Sequence, residues 1–186
     1  MKVSSKVIAL IVFFALPLFL SMIGCSGKKG ANEEKTKTKP VTSSKTLKPY
    51  KHEIIFKTVD GESALLSNYK GKIVFLNFFA TWNKESLKQI DELNRLYNHY
   101  SRFKVAVIGV AVDDNVNKVK AFLETHKVDY PVYVKGRMPA GRYGGVGTLP
   151  TTIVLLRDGE VFKKFPGWKS YKFLNAELVN MLRHRL

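Results

Sequence analysis

Cysteine is almost absent from this chain, and Cys25 is the only one. A single thiol excludes a disulfide framework, along with any chemistry that needs two thiols in one chain. Acidic residues are also scarce, with 15 Asp and Glu against 31 Lys and Arg and a net charge of +16. Histidine is rare too. His52, His99, His126 and His184 lie far apart without ligand spacing, so neither a metal nor another cofactor is expected. The Gly-rich stretch 141–147 lacks the Lys-Ser/Thr of a phosphate loop. No nucleic-acid-binding motif accompanies the basic charge.

Residues 1–24 read as an export signal, with Lys2 and Lys6 ahead of an almost wholly apolar stretch, 7–24. That stretch is nearly long enough to span a bilayer, so an uncleaved anchor is the other reading. Met22-Ile23-Gly24-Cys25 resembles the lipobox of bacterial lipoproteins, in which the cysteine is lipidated and becomes the mature N-terminus; Met22 stands where Leu is usual. The resemblance implies a lipid anchor at Cys25 on the envelope side, and Ser26 implies outer-membrane sorting if the host is Gram-negative. Lipidation would leave the mature chain with no thiol. Residues 26–49 are rich in Lys, Thr and Ser and bury too little surface to offset chain entropy. They form a flexible tether that reaches at most about 80 Å when extended. Charge divides as +2 over the signal, +5 over the tether and +9 over residues 50–186. The excess either meets anionic lipid headgroups, at about 1 kcal/mol per basic residue, or simply solvates the surface.

Residues 50–186 are enough for one domain with a real core. Strands are expected at 52–58, at Ile73–Phe79 and at 104–112, the last two as continuous apolar runs buried on both faces. Ser67 is placed to cap one helical turn ending at Gly71. Leu87, Ile90, Leu93, Leu96 and Tyr97 recur at helical spacing within Lys84–Tyr100, and Val119, Phe122 and Leu123 within 116–127, where Asp113 or Asp114 is the expected cap. A short strand at 131–134 and a loop at 137–147 follow. Asp158-Gly159 between apolar runs marks a hairpin over 151–157 and 160–165. Ser170 caps a last helix with Phe173, Leu174, Leu178, Met181 and Leu182 inward. Strand, helix, strand requires a right-handed parallel crossover. The fold class is therefore α/β, a mixed central sheet flanked by helices on both faces.

Four segments in order, "LSNYKGK" at 66–72, "NFFATW" at 77–82, "GVAVDD" at 109–114 and "LPTTIVLLRDGE" at 149–160, resemble the TlpA/ResA-like thiol–disulfide oxidoreductases of the thioredoxin fold. The resemblance spans about residues 54–182. It implies a thioredoxin-like domain, a cis peptide before Pro150, and a substrate peptide pairing with the backbone ahead of that proline. In the family the Trp is followed by Cys-x-x-Cys, whose first thiolate attacks a substrate disulfide. A helix N-terminus lowers the pKa of such a thiol, and exchange needs the thiolate.

Here those positions are Asn83 and Ser86, separated by Lys84-Glu85. An amide is no nucleophile, and a serine hydroxyl needs a general base, for which no His/Asp partner is evident. Gln89 stands where the family has a proton-handling Glu, and Asp91 where it often has Pro. Asn77, on the strand beneath, is neutral. The expectation is a redox-inactive member that keeps a groove of Trp82, Thr148, Leu149 and Pro150 for a protein or peptide of the cell envelope. The other reading is a retained thiol–disulfide or peroxide-reducing redoxin, as the family implies. Asn83 and Glu85 either stabilise the helix start, or Asn83 and Ser86 hydrogen-bond a ligand. A faint calcium-loop pattern at 113–124 has Lys118 where Gly belongs and reads as a helix start.

Overall fold

The computed structural model describes residues 53–183. The export signal, Cys25, the tether and the first residue of the strand expected at 52–58 lie outside the described residues.

Among the described residues, seven strands and four α-helices follow in order: β1 Ile55–Lys57, β2 Ser63–Leu65, β3 Ile73–Phe79, α1 Lys84–Tyr100, β4 Val105–Ala111, α2 Val116–Thr125, β5 Val132–Tyr133, α3 Arg137–Gly141, β6 Thr151–Leu155, β7 Val161–Pro166 and α4 Tyr171–Arg183. The main sheet has the order β5-β4-β3-β6-β7. β3 lies at its centre, parallel to β4 from Ile73↔Val105 to Phe79↔Ala111, and antiparallel to β6 from Val74↔Leu155 to Phe78↔Thr151. Every residue of β3 and β4 is buried, as their unbroken apolar runs require.

Helices flank both faces, though unequally. Ile73 and Phe75 pack with Leu93 and Leu96 of α1 and with Leu174, Leu178 and Met181 of α4. Phe79 and Ala111, farther along that face, meet Ile90 of α1 and Val119 and Phe122 of α2. The opposite face, through Val74, Leu76 and Phe78, is covered by Phe56 and Leu66, by Ala140 of α3, and by Tyr143 and Val146 beyond it. Burying side chains of this size contributes about 1.5–3 kcal/mol each. Among the described residues, no helix is long and apolar enough to cross a membrane.

Four local expectations change. β1 is shorter than 52–58 and pairs with β2 in a separate hairpin, touching the main sheet through a Lys57↔Val134 bridge. Ser67 caps nothing. It lies inside a 3₁₀ turn, Leu66–Tyr69, and its N–H donates to Glu53 Oε1 at 3.1 Å. The cap of α2 is Asn115, which accepts from the N–H groups of Asn117 and Lys118, leaving Asp113 and Asp114 for other partners. Residues 137–147 are not all loop: α3 forms there because Pro139 falls within a first turn, where its missing N–H costs nothing. Asn83 and Ser170 stand at the helix starts where expected, and Gly159 turns the β6–β7 hairpin at φ 87°.

Candidate functional site

The site is a consequence of register. β3 ends at Phe79, and the next residues form a corner into α1. Pairing of Phe79 with Ala111 carries Asp113 alongside Thr81, two residues on in each strand. Pairing of Phe78 with Thr151 carries Pro150 and Leu149 alongside Phe79 and Ala80. Three segments distant in sequence therefore converge at the carboxyl end of β3.

Hydrogen bonds hold the corner from within. Asn83 N–H donates to Ala80 C=O at 3.2 Å, and Asn83 Oδ1 accepts from Ser86 N–H at 2.8 Å. Asn83 thus acts as the N-cap of α1, in an extended backbone conformation with φ −98°. Ser86 is fully buried, and its Oγ accepts from Ala80 N–H at 3.3 Å. Its contact is a backbone amide rather than a base, so nothing there activates it as a nucleophile. Glu85 is exposed in the first turn and pairs with Lys88 at 2.8 Å.

Gln89 is fully buried one turn further. Its Nε2 donates to Lys169 C=O at 3.1 Å while its Oε1 accepts from Lys169 N–H at 2.7 Å. Only an amide, or a protonated carboxyl, serves both bonds at once. Gln89 therefore ties α1 to the segment that leads into α4. Beneath it, Asn77 is buried and its Oδ1 accepts from Thr152 Oγ1 at 3.2 Å; its Nδ2 has no partner among the described residues.

The Leu149–Pro150 peptide bond is cis. Pro150 C=O accepts from Gly167 N–H at 2.7 Å, and Thr148 C=O accepts from Thr151 Oγ1 at 2.6 Å. Among the described residues, the N–H and C=O of Leu149 take part in no hydrogen bond. Trp82 is 70% exposed at the lip of the corner. Trp82, Asn83, Thr148, Leu149 and Pro150 thus gather at one end of the sheet. Ser86 and Gln89 lie under that end, facing inward.

Two participants went unnoticed in the sequence. Asp113 is 6% exposed and accepts from Thr81 N–H at 3.1 Å and from Thr81 Oγ1 at 2.6 Å, pinning the corner from β4. The parallel register of β3 and β4, which no local sequence pattern gives, brings it there. Trp168, half-exposed, follows the Gly167 that pairs with Pro150 and precedes the Lys169 that pairs with Gln89. No sequence spacing marks it. Among the described residues, no group of three or more His, Cys, Asp or Glu is placed to hold a metal. The surface offers an unpaired peptide, two indoles and an amide cap, which suits hydrogen bonding and stacking rather than covalent chemistry.

The Gln89 pairing yields a pH-dependent expectation. A carboxylate in Gln89→Glu loses the donor to Lys169 C=O and is desolvated, which raises its folded pKa above the ordinary Glu value of about 4.3. The protonated form still donates, so the variant stays near wild-type stability below about pH 4. It loses about 1–3 kcal/mol as the pH rises through the raised pKa. Chemical denaturation of both proteins at pH 4 and pH 8 checks this; an equal difference at the two pH values contradicts it.

Comparison with known proteins agrees with this architecture. Residues 48–164 match the model of the AhpC/TSA family. Thiol-disulfide oxidoreductase ResA of Bacillus anthracis is 35% identical over 121 residues, covering 64% of this chain and 69% of that protein. Among solved structures, StoA from Bacillus subtilis superposes with a TM-score of 0.58 at 24% identity, over 67% of this chain and 95% of its own. The exposed lipoprotein thioredoxin Etrx1 from Streptococcus pneumoniae gives 0.61 at 23% identity, over 69% and 99%. With its five-stranded mixed sheet, cis-proline loop and strand-to-helix corner, the chain belongs to the AhpC/TSA family, among its TlpA/ResA-like members of thioredoxin fold.

Proposed function

We propose that this protein is an envelope-anchored, redox-inactive thioredoxin-fold lipoprotein that binds an extended protein segment across the Trp82 and cis-Pro150 groove. One observation carries the reading. The cis-proline loop still presents an unpaired Leu149 peptide beside an exposed Trp82, while the two positions aligned with the family's cysteines hold a helix cap and a buried serine. An extended chain laid along 148–150 pairs with that peptide as an added strand, and its side chains meet the indole. The absence of cysteine from residues 26–186 supports binding without exchange. Attack on a disulfide needs a thiolate, and the groove supplies none.

The location rests on the export signal, the lipobox-like Met22-Ile23-Gly24-Cys25 and the basic tether. It is supported by the likeness to a solved protein described as an exposed lipoprotein. A second reading, thiol–disulfide or peroxide reduction, is supported by relatives named thiol-disulfide oxidoreductase. It requires a thiol, and residues 26–186 contain no cysteine.

Two measurements separate these readings. The purified full chain, given dithiothreitol and insulin or given peroxide, is expected to show no turnover above the rate without protein; turnover in either assay overturns the redox-inactive reading. A photoreactive residue at position 149 is expected to give a discrete protein adduct in the native envelope, lost when Trp82→Ala is added. No adduct, or one indifferent to Trp82→Ala, contradicts peptide binding in the groove.

A further inference from the structure

The end of the domain opposite the groove carries a second surface. β3 begins there, seven residues or about 20 Å from the corner. Ile73 N–H donates to Lys104 C=O at 3.0 Å and Gly71 N–H to Arg157 C=O at 2.8 Å, which brings three separate segments to one edge. Those segments contribute Lys70, Lys72, Arg102, Lys104 and Arg157, with Asp158 and Glu160 as the acidic residues of the adjoining hairpin. Phe103, 61% exposed, stands between Arg102 and Lys104. Lys104, at φ 59°, closes the turn from α1 into β4, and Phe103 N–H donates to Tyr100 C=O at 2.8 Å.

Some exposed cations elsewhere are paired with a carboxylate, as in Lys88 with Glu85, Lys120 with Asp60, Arg137 with Asp114 and Lys163 with Glu177. Among the described residues, Lys72, Arg102 and Lys104 have no carboxylate partner.

We infer that this end docks on an anionic lipid surface, with Phe103 as the apolar contact and the flanking cations on the headgroups, so that the Trp82 groove faces away from the membrane. Aromatic and basic residues together suit the interface, where each cation near an anionic surface strengthens binding about fivefold. The inference rests on the envelope-anchored reading only for its setting. It assigns the domain an orientation as well as an attachment.

The full chain, reconstituted into vesicles, is held either by lipid at Cys25 or by the apolar stretch 7–24, so tryptophan emission reads contact of the domain alone. In vesicles of 30% phosphatidylglycerol in phosphatidylcholine, Phe103→Trp is expected to add a blue-shifted emission that lipid-borne quenchers reach. In pure phosphatidylcholine that shift is lost. The parent chain, whose tryptophans are Trp82 and Trp168, is expected to show no shift in either. Adding Arg102→Gln and Lys104→Gln to Phe103→Trp lowers the docking equilibrium about 25-fold. An unshifted Phe103→Trp, a shift in the parent, or indifference to the two charge changes overturns the inference. Palmitate incorporation at Cys25 is measured separately, so failure of the anchor reading is distinguishable from failure of this one.

Discussion

The register of β3 between its two neighbours is the constraint on which the rest depends. Seven consecutive parallel pairs with β4 and five antiparallel pairs with β6 fix where β3 ends relative to both. A slip of one residue would turn every buried side chain of the strand to the opposite face, and both faces are packed. Because that register is costly to change, it brings the corner after Phe79, the Asp113 carboxylate and the cis-proline loop together. The same register gathers Lys72, Lys104 and Arg157 at the other end. One strand thus organises the corner and a basic surface about 20 Å apart.

At the corner, substitution has been thorough. A thiol pair and a titrating acid need a partly exposed, electropositive site with a proton path. Asn83 instead uses its side chain to cap α1, Ser86 turns its hydroxyl to Ala80, and Gln89 spends both amide functions on the backbone of Lys169. Each of these side chains is hydrogen-bonded within the protein, which adds to stability. Among the described residues, the Leu149 peptide stays unpaired at this end of the sheet, where Trp82 is exposed. Asp113 keeps the corner from opening by holding both the N–H and the hydroxyl of Thr81.

Much of this was legible in the sequence where the signal is local. The apolar runs of β3 and β4, the stripe of α1, the Asn83 cap and the Asp158-Gly159 turn are all short-range patterns with a direct physical cause. Signals that depend on two distant segments were not legible. Asp113 looked like a helix cap because its neighbours in sequence open α2, yet the parallel pairing delivers it to Thr81. Gln89 was recognised as unable to titrate, but its partner is a backbone group 80 residues away. Trp168 sits in no motif and gains its place only through the bonds of Gly167 and Lys169. α3 was hidden because Pro139 and Gly141, which punctuate most helices, lie here in a segment of five residues.

The central claim is that the corner retains the geometry of a dithiol site while having lost the sulfurs. Introducing Asn83→Cys and Ser86→Cys together and oxidising mildly tests it most directly, with the peptide containing both positions read by mass spectrometry. The account predicts a disulfide between positions 83 and 86 in a chain whose circular dichroism is unchanged. Two free thiols persisting in an intact fold would contradict it.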